Sequence, residues 1–542
     1  MLGRARTTKL SYGIRLLSGS LRGFNKGIPK TAPPSQEVKR GDNDQTNQNV
    51  EQNKSNHPSI AENGLYFGQF TENEYQEAAK IVRDQISKLE KDIKGDFNIR
   101  ENIGKHPVIP AIPNKSQKPT KVNSLEDFFT QVIQTTGPMS LSSFMRQCLT
   151  HPEFGYYTTR DPLASKGGDF ITSPEISSVF GEMIGLFWLY TTWVSQGMPE
   201  NIRIIEFGPG KGTLIYDVMQ TFNSLVTRQG GKVAVEIVMI EASDILRNEQ
   251  YQKLCKGEPI EKINETTVLS RTIWGNRITW YLTETEIEPS ENVGNYILAH
   301  EFFDALPIKA FKKTENGWRE FLVDHKAIAQ SLESQTSKSN DNDLHTLQTQ
   351  SGTDFYLTLT PSETPSSKIP QLSSRFNSLP IGSTVEICPD AETYLKKMIK
   401  LIETSGINVG SILAIDYGPS NSIPDVTLRG IYKHKFVSPF YQPGHVDLSV
   451  DVDFKNLALI ADHSDTMTAY GPEEQGDWLH NVGIGHRIDQ LLKKNQNDPE
   501  FQDKIYNSYL RLTSKDDSAM GKVYKFLCIN PKSSPPPIGY TK

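Results

Sequence analysis

A short apolar run ends in a glycine-rich turn, and this turn is the most informative chemical feature of the sequence. Residues 204–214 read IIEFGPGKGTL, in which an acidic residue precedes three alternating glycines, Glu206, Gly208, Gly210 and Gly212. Glycines between a strand and a helix let backbone N–H groups approach a ligand closely. The spacing does not fit a Gly-x-Gly-x-x-Gly dinucleotide fingerprint, since Thr213 stands where the third glycine belongs. Nor does it give the Gly-Lys-Ser/Thr ending of a P-loop.

The pattern that remains, Glu-x-Gly-x-Gly-x-Gly, resembles the first motif of S-adenosylmethionine-dependent methyltransferases. The resemblance implies that the turn lies against the amino acid part of the cofactor and that Glu206 helps to hold its ammonium group. The next apolar run, VAVEIVMIE, ends at Glu241, where the family places a carboxylate that accepts both ribose hydroxyls. S-adenosylmethionine is therefore the expected cofactor. The alternative is a purely structural turn followed by a solvated carboxylate.

Longer segments match one family closely. They are 167–177 (GGDFITSPEIS), 300–307 (HEFFDALP), 430–434 (GIYKH), 443–454 (PGHVDLSVDVDF) and 520–525 (MGKVYK). Together with the glycine turn they resemble the MidA family of mitochondrial and bacterial methyltransferases, over about 125–529. The chain departs from the family pattern at Asp477-Trp478-Leu479 and in an extra low-complexity segment. Mitochondrial members of the family resemble protein arginine methyltransferases that act in the assembly of respiratory complex I.

Arginine methylation makes specific demands on a site. The guanidinium group has a pKa above about 12 and delocalised lone pairs, so it is a poor nucleophile. Its nitrogen must be oriented and polarised, and paired carboxylates suit that task. We expect Glu301, which directly follows the run NYILAH, and Asp169 to face the guanidinium, with Asp304 and Glu175 as further candidates. For each of the four, the alternative is an ordinary capping or loop carboxylate.

Other polar residues are interpreted as structural. His300 and His434 could be bases and His445 a substrate contact, but a structural histidine is the commoner case. Asp416 ends the run SILAID and could line a pocket, although carboxylates at strand ends commonly cap the next turn. No His, Cys and Asp cluster has metal spacing, so no metal is proposed.

Alternating patterns predict the elements that position these residues. Short apolar runs, IRIIEFG, VAVEIVMIEA, NYILAHE and SILAIDYG, are separated by helical patterns. Such an alternation predicts an α/β, doubly wound, Rossmann-like parallel sheet covered on both faces. The family resemblance implies that this is the class I methyltransferase fold, with N-terminal helices and a family-specific inserted region. SLEDFFTQVI and GPMSLSSFMRQCL predict two helices, and Ser173-Pro174-Glu175 predicts the start of a third that runs on through ISSVFGEMIGLFWLYTTWV.

Composition and charge divide the 542 residues further. The first 36 residues carry seven basic side chains and no acidic one, with leucines and isoleucine at helical spacing, which is typical of a mitochondrial transit peptide. We expect disorder at 37–63 and a helix with a Pro-rich linker at 64–123. An N-terminal helical part at 124–200 should precede a methyltransferase domain at 201–530, with an insertion at about 331–354 and a tail at 531–542.

Whole-chain properties exclude several classes of protein. No run approaches the ~18 apolar residues of a membrane span, and four scattered cysteines without a Cys-x-x-Cys pair exclude a disulfide scaffold. Beyond residue 36 the chain has 51 basic and 64 acidic residues, which disfavours nucleic acid as a partner. The sequence gives no indication of oligomeric state.

The leading hypothesis is therefore an S-adenosylmethionine-dependent protein arginine methyltransferase of the mitochondrial matrix. The resemblance implies symmetric dimethylation of an arginine in the 49 kDa type subunit of complex I, with that protein as partner. Two alternatives stay open: the same fold and cofactor with another protein or small-molecule acceptor, and a non-catalytic assembly factor built on the same fold.

Overall fold

The structure is a computed structural model and describes residues 122–161, 171–327 and 353–540, all within the unit Gln117–Lys542. The transit peptide, the disordered stretch and nearly all of the helix and linker predicted before residue 124 lie outside the described residues. So do Asp169 and all but the last two residues of the predicted insertion.

The described strands are β1 (Met139–Ser140), β2 (Asn201–Phe207), β3 (Ala234–Ile240), β4 (Glu261–Lys262), β5 (Val268–Arg271), β6 (Arg277–Tyr281), β7 (Gly294–His300), β8 (Lys309–Thr314), β9 (Gly317–His325), β10 (Phe355–Leu359), β11 (Thr384–Ile387), β12 (Gly410–Tyr417), β13 (Arg429–Tyr432), β14 (Lys435–Val437), β15 (Asp447–Ser449), β16 (Met467–Glu474) and β17 (Tyr524–Pro531).

The described α-helices are α1 (Leu125–Thr136), α2 (Leu141–Thr150), α3 (Tyr156–Thr159), α4 (Ser173–Ile176), α5 (Ser178–Ile184), α6 (Thr191–Ser195), α7 (Thr213–Arg228), α8 (Asp244–Leu254), α9 (Lys368–Leu372), α10 (Ser374–Asn377), α11 (Pro389–Glu403), α12 (Phe454–Asp462), α13 (Gln475–Asn481), α14 (Ile484–Lys494) and α15 (Pro499–Thr513). A π-helical segment, Gly185–Tyr190, joins α5 to α6.

A mixed sheet forms the centre of the protein. Within the described residues nine strands pair in the order β16-β17-β12-β7-β2-β3-β6-β5-β4. The five strands from β12 to β6 are parallel, whereas β17, β16, β5 and β4 add antiparallel edges. The four predicted apolar runs are β2, β3, β7 and β12, so the predicted α/β sheet is confirmed. Their carboxyl ends meet at one edge, where an open α/β sheet binds its ligands.

Two layers of helices cover the sheet, as a parallel sheet with two apolar faces requires. On one face, α5, the π segment, α6 and α7 pack with residues such as Phe222 and Trp188 in a large buried cluster. On the other face, α11 and α12 bury residues such as Leu395 and Leu457. Because helices exclude water from both faces of the sheet, a polar site can form only at the ends of its strands.

An antiparallel sheet, most of whose strands lie between β7 and β12 in the chain, was not predicted from the sequence. Among the described residues it contains β1, β8, β9, β10 and β11. Its β8–β9 hairpin turns at Gly317, which has φ +95°, and the sequence Asn316-Gly317 is a turn signal that could have indicated it. A small sheet of β13, β14 and β15 packs with α1 and α2 in the same buried cluster.

Serine caps start the first two predicted helices. Ser124 accepts a hydrogen bond from the backbone N–H of Asp127 at 3.1 Å, and Ser140 accepts one from Ser143 at 3.2 Å. These side chains satisfy N–H groups that have no partner within the helix. The two predicted helices are therefore confirmed as α1 and α2.

The third predicted helix is wrong in two respects. Thr172, not Ser173, occupies the capping position, because the Ser173 hydroxyl is buried and donates to Gln475 Oε1 at 3.4 Å. The helix also stops at Ser177, whose backbone is extended and whose hydroxyl caps the new helix α5 at Val179. A single apolar run in the sequence therefore corresponds to several helical segments.

None of the helices among the described residues is both long and apolar enough to cross a bilayer.

Gly410 begins β12 at a position where an alanine would meet the backbone of β7. A Cβ there would lie 2.0 Å from the carbonyl oxygen of Asn295, whereas a Cβ at Gly197, which also has a positive φ, would meet no atom within 4 Å. We expect Gly410→Ala to lower the free energy of unfolding by more than about 3 kcal/mol. Gly197→Ala should lower it by only about 1 kcal/mol, from backbone strain alone. Denaturant unfolding measures both; equal losses would contradict the close packing.

Candidate active site

A cavity of about 300 Å³ opens at the carboxyl ends of the central strands. This volume lies at the small end of the range for ligand sites. Four of the five residues predicted to bind the cofactor line it: Glu206, Gly208, Gly210 and Glu241. Two predicted catalytic residues, Glu301 and Glu175, also line it, whereas Asp304 does not. The position of Asp169 lies outside the described residues.

The three glycines of the turn all have left-handed backbones. Their φ angles are +61° at Gly208, +52° at Gly210 and +71° at Gly212, a conformation that side chains with a Cβ rarely adopt. Gly212 is absent from the cavity lining and occupies the capping position of α7. A Cβ on Gly212 would lie 3.4 Å from Gln250 and Leu254 of α8. Gly212 therefore sets the close packing of two helices, while Gly208 and Gly210 face the cavity.

Glu206 is a buried carboxyl group with an unused oxygen. The residue is only 2% exposed, and its Oε2 has no hydrogen-bond partner. Burial, with a smaller contribution from the charge of Glu241, raises the pKa of Glu206 to about 8. A buried carboxylate without a partner is unfavourable, so a cation in the cavity would be bound strongly. The ammonium group of S-adenosylmethionine fits this requirement.

Glu241 is held at the end of β3 by the backbone and by one side chain. Its Oε1 accepts from the N–H of Ser243 at 2.8 Å, and its Oε2 accepts from Gln250 Nε2 at 3.1 Å. Each carboxylate oxygen has a second lone pair that can accept from a hydroxyl. Burial raises the pKa of Glu241 to about 7, and hydrogen bonds from Ser243 and Gln250 lower it. This arrangement suits a pair of ribose hydroxyls.

Gln250 connects the glycine turn to Glu241, and the sequence analysis did not predict this role. Its Nε2 donates both to Glu241 and to the carbonyl oxygen of Gly210, the latter at 2.7 Å. Its Oε1 accepts from Trp280 Nε1 at 2.8 Å. The sequence did contain a signal. Leu246, Gln250 and Leu254 are spaced four residues apart, so the amide side chain of Gln250 lies on the apolar face of α8.

The turn after β7 projects Glu301 into the cavity. Glu301 has φ +50°, and its Oε1 has no hydrogen-bond partner. That oxygen lies 3.6 Å from Nε2 of His300, which also lacks a partner and lines the cavity. Burial raises the pKa of Glu301 well above its usual value, the nearby Asp304 raises it further, and a hydrogen bond with Tyr524 lowers it. Burial lowers the pKa of His300 to about 3, so its ring is neutral.

The other two described candidates have protein partners. Asp304 is buried behind the turn and accepts a hydrogen bond from the hydroxyl of Tyr417. Burial raises the pKa of Asp304, and the hydrogen bond from Tyr417 lowers it. Glu175 lines the cavity but accepts from the hydroxyl of Thr213 at the start of α7. Of the described candidates, Glu301 is the one with a free oxygen at the cavity.

Several lining residues were not predicted from the sequence. Glu284 is buried and forms an ion pair with Lys397, and Tyr394 and Phe302 pack edge to face with ring centroids 5.1 Å apart. Tyr394 and Lys397 come from α11, and Glu284 comes from a short helical turn without a recognisable motif. Phe302 lies within the segment 300–307, but no role was predicted for it. His445, which we considered as a substrate contact, lies outside the lining with its Nδ1 2.7 Å from Arg160. The structural interpretation of His445 fits this position.

Comparisons with known proteins agree with this geometry. A family described as "Putative S-adenosyl-L-methionine-dependent methyltransferase" matches residues 183–473. A Rattus norvegicus protein named "Protein arginine methyltransferase NDUFAF7, mitochondrial" is 33% identical over 406 residues, which cover 74% of this chain and 82% of that protein. The Homo sapiens protein of the same name is 32% identical over 406 residues, covering 74% and 81%.

Solved structures share the fold. A COG1565 superfamily protein from Burkholderia thailandensis, bound to S-adenosyl-homocysteine, has a TM-score of 0.55 and 18% identity, and the match covers 77% of this chain and 93% of that one. A native crystal structure of a COG1565 superfamily protein from the same organism also has a TM-score of 0.55, with 19% identity. The class I methyltransferase fold predicted from the sequence is confirmed.

We expect Glu206→Gln to weaken S-adenosylmethionine binding by about 10- to 100-fold, because a charge-assisted hydrogen bond is lost. Since Glu206 has a pKa of about 8 in the free protein, a cation that binds its carboxylate must displace a proton. Affinity in the wild type should therefore rise as the pH rises towards 8, and the proton release should shrink in the variant. Calorimetry in buffers of different ionisation enthalpy measures both quantities.

The same substitution should stabilise the free protein. Between pH 4.5 and 8 the unfolded carboxyl is ionised while the folded one stays protonated, so the raised pKa of Glu206 opposes folding increasingly as the pH rises. Glu206→Gln removes this penalty and should raise the Tm at pH 8. Glu200→Gln, at an exposed position just before β2, is the matched control. If Glu206→Gln left the affinity for S-adenosylmethionine unchanged, the assignment of Glu206 to the ammonium group of the cofactor would be disproved.

Proposed function

Since the chain belongs to this family of S-adenosyl-L-methionine-dependent methyltransferases, we propose that it methylates a guanidinium nitrogen of arginine in a protein substrate. The observation that carries the proposal is the free carboxyl oxygen of Glu301 in the cavity that Glu206 and Glu241 also line. The names of the curated relatives, which are protein arginine methyltransferases, support the same acceptor.

The chemistry of the acceptor explains why a carboxylate is needed. When bound, S-adenosylmethionine supplies an electrophilic methyl group, whose bond to sulfur breaks as a bond to the acceptor nitrogen forms. Glu301 orients the guanidinium by accepting its N–H groups, and concentrates electron density on the attacking nitrogen. The nitrogen that gains a methyl group must lose a proton, and the carboxylate of Glu301 is placed to accept it.

The ring of His300 is neutral and therefore does not compete with the substrate for the carboxylate of Glu301. A protonated imidazole 3.6 Å from Glu301 would form an internal ion pair and neutralise the carboxylate. Because burial keeps the pKa of His300 near 3, Glu301 remains available for an external cation. A guanidinium is the natural partner, since its planar N–H groups bind a carboxylate through two parallel hydrogen bonds.

The cellular setting follows from the relatives and the sequence. We place the protein in mitochondria, in agreement with the relatives' names and the basic, acid-free first 36 residues. The matrix as its compartment, the 49 kDa type subunit of complex I as its substrate, and symmetric dimethylarginine as its product are finer proposals. They rest on the resemblance to the MidA family. The domain limits 124–200 and 201–530 are likewise proposed.

Labelled S-adenosylmethionine tests the proposal with a mitochondrial extract and with arginine peptides. We expect label on arginine, identified by mass spectrometry, and no label on peptides in which lysine replaces it. Glu301→Gln should lower kcat by about 100-fold or more, because the oriented carboxylate is lost. The affinity for S-adenosylmethionine should stay within about threefold, since Glu206 and Glu241 are intact.

Glu265→Gln, at an exposed position that does not line the cavity, is the control and should leave kcat unchanged. Label on a small molecule or on another side chain would show a different acceptor. Cofactor binding without any methyl transfer would favour an assembly factor that uses the fold as a scaffold.

A further inference from the structure

Asp416, at the end of β12, binds the turn that carries Glu301. The side chain is fully buried and is absent from the cavity lining. Its Oδ2 accepts hydrogen bonds from three consecutive backbone N–H groups, those of Phe302 at 3.2 Å, Phe303 at 3.0 Å and Asp304 at 3.3 Å. Its Oδ1 accepts from the N–H of Tyr417 at 3.0 Å. One carboxylate therefore satisfies the amides of a whole turn.

The turn needs such a partner because its first residue is strained. Glu301 has φ +50°, a left-handed conformation that raises the energy of a residue with a long side chain by about 1–2 kcal/mol. The N–H of Glu301 donates to the carbonyl oxygen of Ile415 at 2.9 Å, so the preceding residue of β12 binds the same turn. Strain of this kind persists only where the surroundings determine the backbone.

The direction of Glu301 depends on this backbone conformation. If the backbone at residue 301 were extended, the Cβ of Glu301 would point away from its present direction. The Oε1 of Glu301 would then no longer lie beside His300. Three N–H groups point at Oδ2 of Asp416 and a fourth points at its Oδ1, so the site needs two acceptor oxygens, which a carboxyl group supplies and an amide does not. The neighbouring Asp304 has its own partner in Tyr417, so it does not compete for these amides.

We propose that Asp416 is a positioning residue, whose carboxylate holds the turn at 301–304 so that Glu301 faces the acceptor. The inference rests on the proposed function, in which Glu301 contacts the substrate. It assigns to Asp416 no contact with substrate or cofactor. It also explains why an acidic residue stands at the end of β12, directly beside two further buried acids, where its charge is unfavourable by itself.

Kinetics of Asp416→Asn test the proposal. The shape is preserved, but one of the two acceptor oxygens is replaced by an NH2 group. We expect kcat to fall by about 100-fold, as for a displaced catalytic group, while the affinity for S-adenosylmethionine stays within about threefold. In a Glu301→Gln background, Asp416→Asn should have less than about a twofold further effect on kcat, because both changes remove the same contribution.

A matched control separates positioning from general loss of stability. Asp453 is another acidic residue with structural partners; it accepts from Asn456 at the start of α12 and pairs with Arg375 at 2.6 Å. We expect Asp453→Asn to lower the Tm without lowering kcat at a temperature where the variant is folded. An unchanged kcat in Asp416→Asn, or a loss that adds fully to that of Glu301→Gln, would overturn the proposal.

Hydrogen exchange distinguishes failure of this inference from failure of the proposed function. We expect the amides of residues 302–304 to exchange at least about tenfold faster in Asp416→Asn than in the wild type, without change in β2 or β3. If the wild type methylates an acceptor other than arginine, the proposal of an arginine acceptor is wrong. The two single variants and the double variant are then compared with the wild type on the new acceptor. Unchanged exchange at 302–304 would overturn the role of Asp416 whatever the acceptor.

Discussion

The unfavourable burial of carboxyl groups without partners is the constraint on which the site depends. Glu206 and Glu301 each have an oxygen that no protein group satisfies, and both have a raised pKa because of burial. Such groups reduce stability unless a ligand compensates for them. We propose that these two oxygens bind two cations, the ammonium of the cofactor and the guanidinium of the acceptor.

The remaining structure maintains this unfavourable arrangement. The parallel strands bring Glu206, Glu241 and Glu301 to one edge of the sheet, although they lie far apart in the chain. Other acids at the site have protein partners, since Tyr417 donates to Asp304 and Lys397 pairs with Glu284. Tyr524 forms a hydrogen bond with Glu301, but one oxygen of Glu301 and one of Glu206 keep no partner. Gln250 fixes both the glycine turn and Glu241. The scaffold thus stabilises the positions of the acids without satisfying the two that face the ligands.

The sequence predicted the features that depend on local patterns. The four central strands are continuous apolar runs, the glycine turn has a distinctive spacing, and Ser124 and Ser140 are ordinary caps. Features that depend on distant contacts were not predictable. Neither Gln250, which acts through Gly210 and Trp280, nor the antiparallel sheet follows from a motif. The assignment of Gly212 to the cofactor stays a prediction, but its spacing could not reveal that a Cβ there would meet side chains of α8.

The separation of Asp416 from the turn that it binds has a consequence for biosynthesis. Phe302 and Asp416 are 114 positions apart, and β8, β9, β10, β11 and α11 lie between them. A ribosome has therefore released the complete glycine turn and six of the nine described strands of the central sheet well before the residue that shapes the turn at 301–304 emerges. Contacts of such long sequence separation form late and slowly. The turn that carries Glu301 therefore reaches its final conformation only after β12 has joined the sheet.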